Sequence, residues 1–376
     1  MSIYLDNAAT TCVCPEAADA ALDAMRVNYG NPSSTHAMGR AAKKIMDAAR
    51  AKVALALGCA PEELFFTSGG IEADNWAVIR GAEYNARHGR HIVSSAVEHA
   101  AVLRSLDYLE RRGFSVTRLA PGPDGGIAKE AVLAALRPDT CLVSLMLVQN
   151  ETGAVTDVAG IAAAVRAQCP AALVHTDAVQ GFLKVPFSAK TLGADLISVS
   201  GHKIHAPKGI GALYIRKGLS LPPYILGGGQ ERERRAGTEP LPLIAAFGAA
   251  AETAQREFPA YAARIAALRA HAVERLTAEN EGLLVLGGGA PQILSLSLPG
   301  WRSEVLMNCL EAEEIYVSKS SACKKGGRSY VLEAMDLPAA VIDGALRVSF
   351  SRFTTAEETD AFCDALTAAR KRLRHR

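Results

Sequence analysis

The chain has 376 residues, 49% apolar and 21% charged, enough for a large core and two domains. Lys and Arg number 41 against 39 Asp and Glu, and a net charge of only +2 argues against nucleic acid as a direct ligand. Eight scattered cysteines lack the spacing of a disulfide framework or zinc site, so a reducing cytoplasm and no metal are expected. No membrane association is expected either, since the most apolar stretch, Leu241 to Ala251, falls short of the roughly 20 residues of a bilayer span.

Between about residues 60 and 220, short apolar runs alternate with segments of helical spacing. The runs are Leu64 to Phe66, His91 to Ser94, Cys141 to Leu147, Leu173 to His175, Leu196 to Val199 and Gly211 to Ile215. Ile71 to Asn85 and Val158 to Gln168 carry a helical period. This alternation predicts an α/β fold with a mostly parallel sheet and helices on both faces. Past residue 240 an Ala-rich helix, Leu243 to Asn280, leads to a strand at Gln292 to Leu298, a helix from Ser303 and a strand at Ala345 to Phe350. That change predicts a smaller α+β domain. Ligands of such sheets gather at the carboxyl ends of the strands, where the polar clusters of this chain lie.

Ser198-Val-Ser-Gly-His-Lys203 puts a lysine just past a buried strand, where partial desolvation favours the neutral amine that forms an imine with an aldehyde cofactor. Ser200 and His202 can aim donors at a phosphate. A surface lysine on a Gly-rich turn explains the segment equally well by itself. Val174-His-Thr-Asp177-Ala-Val-Gln180 ends another strand; a buried Asp177 would keep a pyridine nitrogen protonated, and Gln180 could reach a ring oxygen. Phe65-Phe-Thr-Ser-Gly-Gly70-Ile71-Glu72 is a strand, a tight turn and a helix start, suited to a phosphate, although such a turn also binds other anions or none. His99 follows another strand end and could stack on a ring, but a lone histidine is more often structural. Cys323 lies among small and polar residues, with Lys324, Lys325 and Arg328 near it to favour the thiolate. Arg347 falls in a strand and could hold a substrate carboxylate, or form a structural ion pair.

Together these segments resemble the cysteine desulfurases, the NifS/IscS-like group of the class V aminotransferase superfamily. The resemblance also takes in Tyr4 to Thr11, Gly30 to His36, Asn150-Glu-Thr-Gly153, Arg235-Ala-Gly-Thr238 and Arg347 to Thr354. It implies a fold-type I enzyme with pyridoxal 5'-phosphate, a seven-stranded sheet and a homodimer with active sites at the subunit interface. It also implies a large cofactor-binding domain over 16–255, and a small one over 1–15 and 256–376 that carries the cysteine loop at about 318–329. Lys203 would hold the cofactor, His99 stack on the ring, Asp177 pair with its nitrogen and Gln180 with its oxygen. Asn150 would lie near that oxygen and the substrate. Gly70 and Ile71, with Ser200 and His202, would hold the phosphate, joined by Thr238 of the second subunit. Arg347 and Asn7 would orient L-cysteine. Lys203, freed by substrate, would take the Cα proton, and the Cys323 thiolate would attack the substrate sulfur to give a persulfide and L-alanine.

Two departures from the family pattern bear on these expectations. Ile71 stands where the pattern has threonine, so the phosphate relies more on backbone N–H groups or is held less tightly. The segment after Cys323 is shorter and reads Lys-Lys-Gly-Gly-Arg. The reach of that loop sets which acceptor it meets, so a dedicated thiolation enzyme, such as one acting on tRNA, is expected as readily as an iron–sulfur scaffold for the protein acceptor of the sulfur. A selenocysteine lyase or an aminotransferase on the same scaffold remains an alternative, as does a weakly catalytic acceptor-binding scaffold.

Overall fold

The computed structural model describes residues 2–319 and 327–373. Its large sheet has seven strands in the order Leu64–Thr67, Gly211–Ile215, Leu196–Ser200, Leu173–Asp177, Thr140–Ser144, His91–Ser95, Ser115–Leu119. Gly211–Ile215 runs antiparallel to both neighbours, and the remaining pairs are parallel. Strands inside this sheet are buried throughout and read as continuous apolar runs, which is why periodicity exposes them. Ser115–Leu119 is the exception. It forms an edge with a half-buried, polar-rich sequence, and the apolar runs of the sequence do not reveal it. The run expected from Cys141 to Leu147 stops as a strand at Ser144, where the chain leaves the sheet.

Six strand ends therefore face the same way. Thr67, Ser95, Ser144, Asp177 and Ser200 each lead within a few residues into a polar loop on one edge. The helix that follows Thr67 runs from Gly70 to Asn85 with a π-helical turn over Trp76–Arg80. Insertions of that kind shift the register of the face a helix presents.

The second layer of the molecule is a four-stranded antiparallel sheet in the order Ser318–Lys319, Ala345–Ser349, Ile293–Ser297, Leu284–Leu286. Beside it Ile3–Tyr4 pairs in parallel with Ile315–Tyr316. A 39-residue helix, Leu241–Glu279, joins the two parts and spans roughly 58 Å at 1.5 Å per residue. Its first half, through Ala254, packs into the core beneath the large sheet; from Tyr261 on it packs into the core of the small sheet. Gly248 allows the close crossing with the helix Ala37–Leu57, because a Cβ there would stand 2.7 Å from the Cα of Ala49. Among the described residues no helix is long and apolar enough to cross a membrane. The seven described cysteines are free thiols.

Candidate active site

A cavity of about 300 Å³ opens at the carboxyl edge of the large sheet. It gathers Gly70, Ile71, His99, Asn150, Asp177, Gln180, Ser200, His202, Lys203 and Arg347, ten of the residues singled out by sequence, from six separate segments. Asn7 lies instead on a smaller adjoining cavity of about 30 Å³ that shares Lys203. Thr238 is exposed and lines neither cavity. Cys323 lies outside the described residues.

Lys203 closes a short 3-10 turn directly after the strand Leu196–Ser200, and its Nζ donates to the carbonyls of Ala8 and Ala9, both at 2.6 Å. The N-terminal segment thus forms one wall. Asp177 ends its strand at 4% exposure, with Oδ1 accepting from the Val179 N–H at 2.9 Å. Burial raises its carboxyl pKa, while His99 and Lys203 draw it back down. His99 caps the helix Ala100–Glu110: its Nδ1 accepts from the Ala101 N–H at 3.1 Å, so in the neutral ring the proton sits on Nε2. His202 meets the Thr10 hydroxyl at 3.1 Å, and burial together with Lys203, Lys184 and Lys208 presses its pKa down to about 4.

Gly69 has φ +155°, a conformation only glycine adopts readily, and it turns the chain from strand to helix. Next to it, a Cβ on Gly70 would lie 2.7 Å from Val179 Cγ2 and 3.5 Å from Ser200 Cβ. The absence of a side chain there keeps backbone N–H groups open to an anion. Ile71 is 63% exposed, a large apolar side chain on the rim.

Three expectations need restating. The Gln180 amide is engaged at both ends, with Nε2 donating to the Ala8 carbonyl at 2.8 Å and Oε1 accepting from Lys184 at 3.2 Å, which leaves one Nε2 N–H. Arg347 combines both of its readings. It lines the cavity, yet it is buried and donates to Asp6 and to the Asn150 carbonyl at 2.8 and 2.9 Å, with Nε unpartnered. Arg328, expected to add charge beside Cys323, is paired with Asp343 at 2.7 and 2.9 Å.

The cavity and the loop beneath it also hold acids that the sequence did not flag. Asp74 is 1% exposed, its Oδ1 has no hydrogen-bond partner, and burial followed by Asp177 pushes its carboxyl well above the usual range. His175 stands 3.7 Å away, but it is held between Ser144 and Ser198, and burial lowers its pKa to about 3. The ring is thus neutral and offers no counter-charge. Glu98, under the loop that carries His99, accepts from Ser95 and the Met146 N–H, and burial raises it to about 8. A signal for Asp74 was available: it lies four residues after Gly70, on the same helical face.

The comparisons with known proteins now bear on this arrangement. The class-V aminotransferase profile matches residues 3–362. The cysteine desulfurase IscS of Methanosarcina thermophila is 39% identical over 385 residues, covering 100% of this chain and 93% of its own length. The chain belongs to the cysteine desulfurases of the class-V aminotransferase family. A solved NifS-like protein overlays this desulfurase with a TM-score of 0.93 at 37% identity, covering 99% of this chain and 100% of its own. SspA in complex with cysteine gives 0.82 at 30% identity, over 94% of this chain and 100% of its own. Enzymes of the family work with pyridoxal phosphate, and this desulfurase has a site that fits it. The cavity joins an amine at Lys203, a buried carboxylate at Asp177, a side-chain-free approach at Gly70 and an unpartnered buried oxygen at Asn150 Oδ1.

Proposed function

We propose that this desulfurase takes sulfur from L-cysteine, releases L-alanine and leaves a persulfide on Cys323 for a protein acceptor. The observation that carries the reading is the convergence of Lys203, Asp177 and His99 on one cavity from three strand ends. Bound pyridoxal phosphate supplies an aldehyde for the substrate amine and a ring that draws electrons from Cα. Lys203 is the amine that would hold it and, when free, the base that would take up the Cα proton. Asp177 would pair with the ring nitrogen and so gain the counter-charge that its burial calls for. His99 would cover the ring face, and Gln180 and Asn150 would lie toward the ring oxygen. The backbone at Gly70 and Ile71, with Ser200 and His202, holds the phosphate, and Thr238 completes it from a second copy in a homodimer. Arg347 orients the substrate carboxylate with Asn7.

The Cys323 thiolate then bonds to the substrate sulfur as the Cβ–S bond breaks. The electron pair of that bond stays with carbon, and protonation makes the methyl group of alanine. L-cysteine plus an enzyme thiol gives L-alanine plus an enzyme persulfide, with no outside oxidant. The cysteine held by SspA in its solved complex supports the substrate. The exchange of cores along the helix Leu241–Glu279 supports a large domain over 16–255, with 1–15 and 256–376 in a small one. A cytoplasmic setting, in which sulfur passes to an iron–sulfur scaffold or a thiolation enzyme, fits the free thiols of the chain.

The test is an assay of alanine and sulfide from L-cysteine plus a reductant, on wild type and Cys323→Ala. Sulfide formation that disappears with Cys323 supports the reading. Full sulfide and alanine output from Cys323→Ala overturns the role of Cys323 and favours a lyase that expels sulfur without a protein acceptor.

A further inference from the structure

Behind Lys203 stands a second lysine. Lys184 is half-buried on the small cavity that also holds Lys203, and its Nζ donates to Gln180 Oε1 at 3.2 Å. Gln180 Nε2 donates to the Ala8 carbonyl at 2.8 Å, and that same oxygen accepts from Lys203 at 2.6 Å. One hydrogen-bonded chain thus runs Lys184, Gln180, Ala8 carbonyl, Lys203.

An ammonium group only donates, so the amide end that faces Lys184 must be the oxygen. The amide cannot flip while that bond stands. Its nitrogen is directed toward Ala8, and its second N–H remains for a group in the main cavity, which Gln180 lines. The charges around Lys184 are of its own sign. Lys203 and Arg347 act on its ammonium, and His202 and His205 lie in its field in turn. No acidic side chain among the described residues pairs with it. Burial, then those two cations, bring it down to about 7, so the ammonium that donates to Gln180 and acts as a cation is the form present below neutral pH.

The backbone is shaped to keep the lysine there. After Asp177 the chain makes a single helical turn, with Gly181 and Phe182 N–H groups bonded to the Ala178 carbonyl at 2.9 and 2.8 Å. Leu183 then breaks the turn at φ +53°, a left-handed conformation that a leucine rarely adopts. The Tyr261 hydroxyl donates to the Leu183 carbonyl and holds the break. A surface lysine needs no such arrangement.

We propose that Lys184 is a positioning residue for the reaction centre, which fixes the Gln180 amide and places a second cation beside Lys203. A neighbouring cation favours the neutral amine and the unprotonated imine, the same device by which a catalytic lysine is activated elsewhere. The inference rests on Lys203 holding the cofactor.

The test reads absorbance rather than turnover. Lys184→Met, Lys184→Arg and Gln180→Ala are reconstituted with pyridoxal phosphate, and each is titrated for the pH midpoint of its imine band and for cofactor affinity. Loss of the cation in Lys184→Met raises the midpoint by about one pH unit, a tenfold change in proton affinity, and loosens the cofactor about tenfold. Lys184→Arg restores the midpoint, and the Lys184→Met/Gln180→Ala double variant loses less affinity than the sum of the two singles. A midpoint and affinity equal to wild type in Lys184→Met overturn the proposal, as does strict additivity in the double variant. Should Lys184→Met fail to fold, Lys184→Gln carries the same readings with a polar head in place. A wild-type band that survives in Lys203→Ala overturns the reading of the site itself, and the two failures are distinct.

Discussion

The cavity at the sheet's edge and the stem that leads to Cys323 are built from the same charged residue types, used in opposite ways. In and beneath the cavity, Asp74, Glu98 and Asp177 lack a direct ion pair with Lys or Arg, and burial raises all three, although His99 and Lys203 draw Asp177 partly back. Asp74 Oδ1 and Glu98 Oε2 have no hydrogen-bond partner. Along the stem, Arg328 donates twice to Asp343, whose carboxyl is held low by that pairing, and Lys319 reaches Glu304 at 3.2 Å. Ser329 donates to Glu151 at 2.5 Å, which offsets part of the burial that raises this acid to about 7, and the Tyr330 hydroxyl donates to the Glu98 carbonyl at 2.6 Å. A group whose charge is answered within the chain serves position. A buried acid left without an answer is poised for a ligand that brings the missing cation.

That contrast breaks most visibly at Asp177. Asp177→Asn should lower kcat by about 10²–10³ through loss of electrostatic stabilisation, while Asp343→Asn on the exposed stem should change it by less than about fivefold. Steady-state kinetics of the two variants measure this; equal losses would erase the distinction between cavity and stem.

Glu98 sharpens the energetic side. Its folded pKa of about 8 lies above its ordinary 4.5, so the folded state binds the extra proton between those values. Stability from this group is present below about pH 4.5 and is lost as pH rises toward 8. Glu98→Gln, which cannot ionise, should therefore gain on wild type by a few kcal/mol on going from pH 5.5 to 8, on the order of 1.4 kcal/mol per pH unit. Urea midpoints at the two pH values give the difference, and a parallel pH response in both proteins would contradict the burial argument.

The smallest effect is expected at Ser329. Ser329→Ala removes the donor to Glu151 and the cap of the helix Tyr330–Ala334, worth about 1–2 kcal/mol together. It should slow persulfide formation on Cys323 several-fold without moving the midpoint of the cofactor band. Rapid-mixing absorbance separates the two, and a shifted midpoint would show that stem and cavity are one unit.

Buried parallel strands were legible in the sequence because both their faces are apolar. Ser115–Leu119 was not, since an edge strand with Thr117 and Arg118 half-buried carries no such run. Nine of the ten site residues were legible because they end a strand of the large sheet or lie in the loop after one, and strands running the same way bring their ends to one edge; Arg347 comes instead from within a strand of the small sheet. The partnering of Gln180 and Arg347 was hidden, because it depends on Ala8 and Asp6, which sequence separation places far away. Lys184 was hidden for another reason. Its spacing of four from Gln180 fits a helical turn, but the left-handed Leu183 that redirects the chain leaves no mark in composition.

The central claim is tested most directly by reducing the cofactor-loaded protein with borohydride, digesting it and mapping the modified peptide by mass spectrometry. The pyridoxyl label is expected on Lys203 alone. A label on Lys184, on another lysine or on none would contradict it.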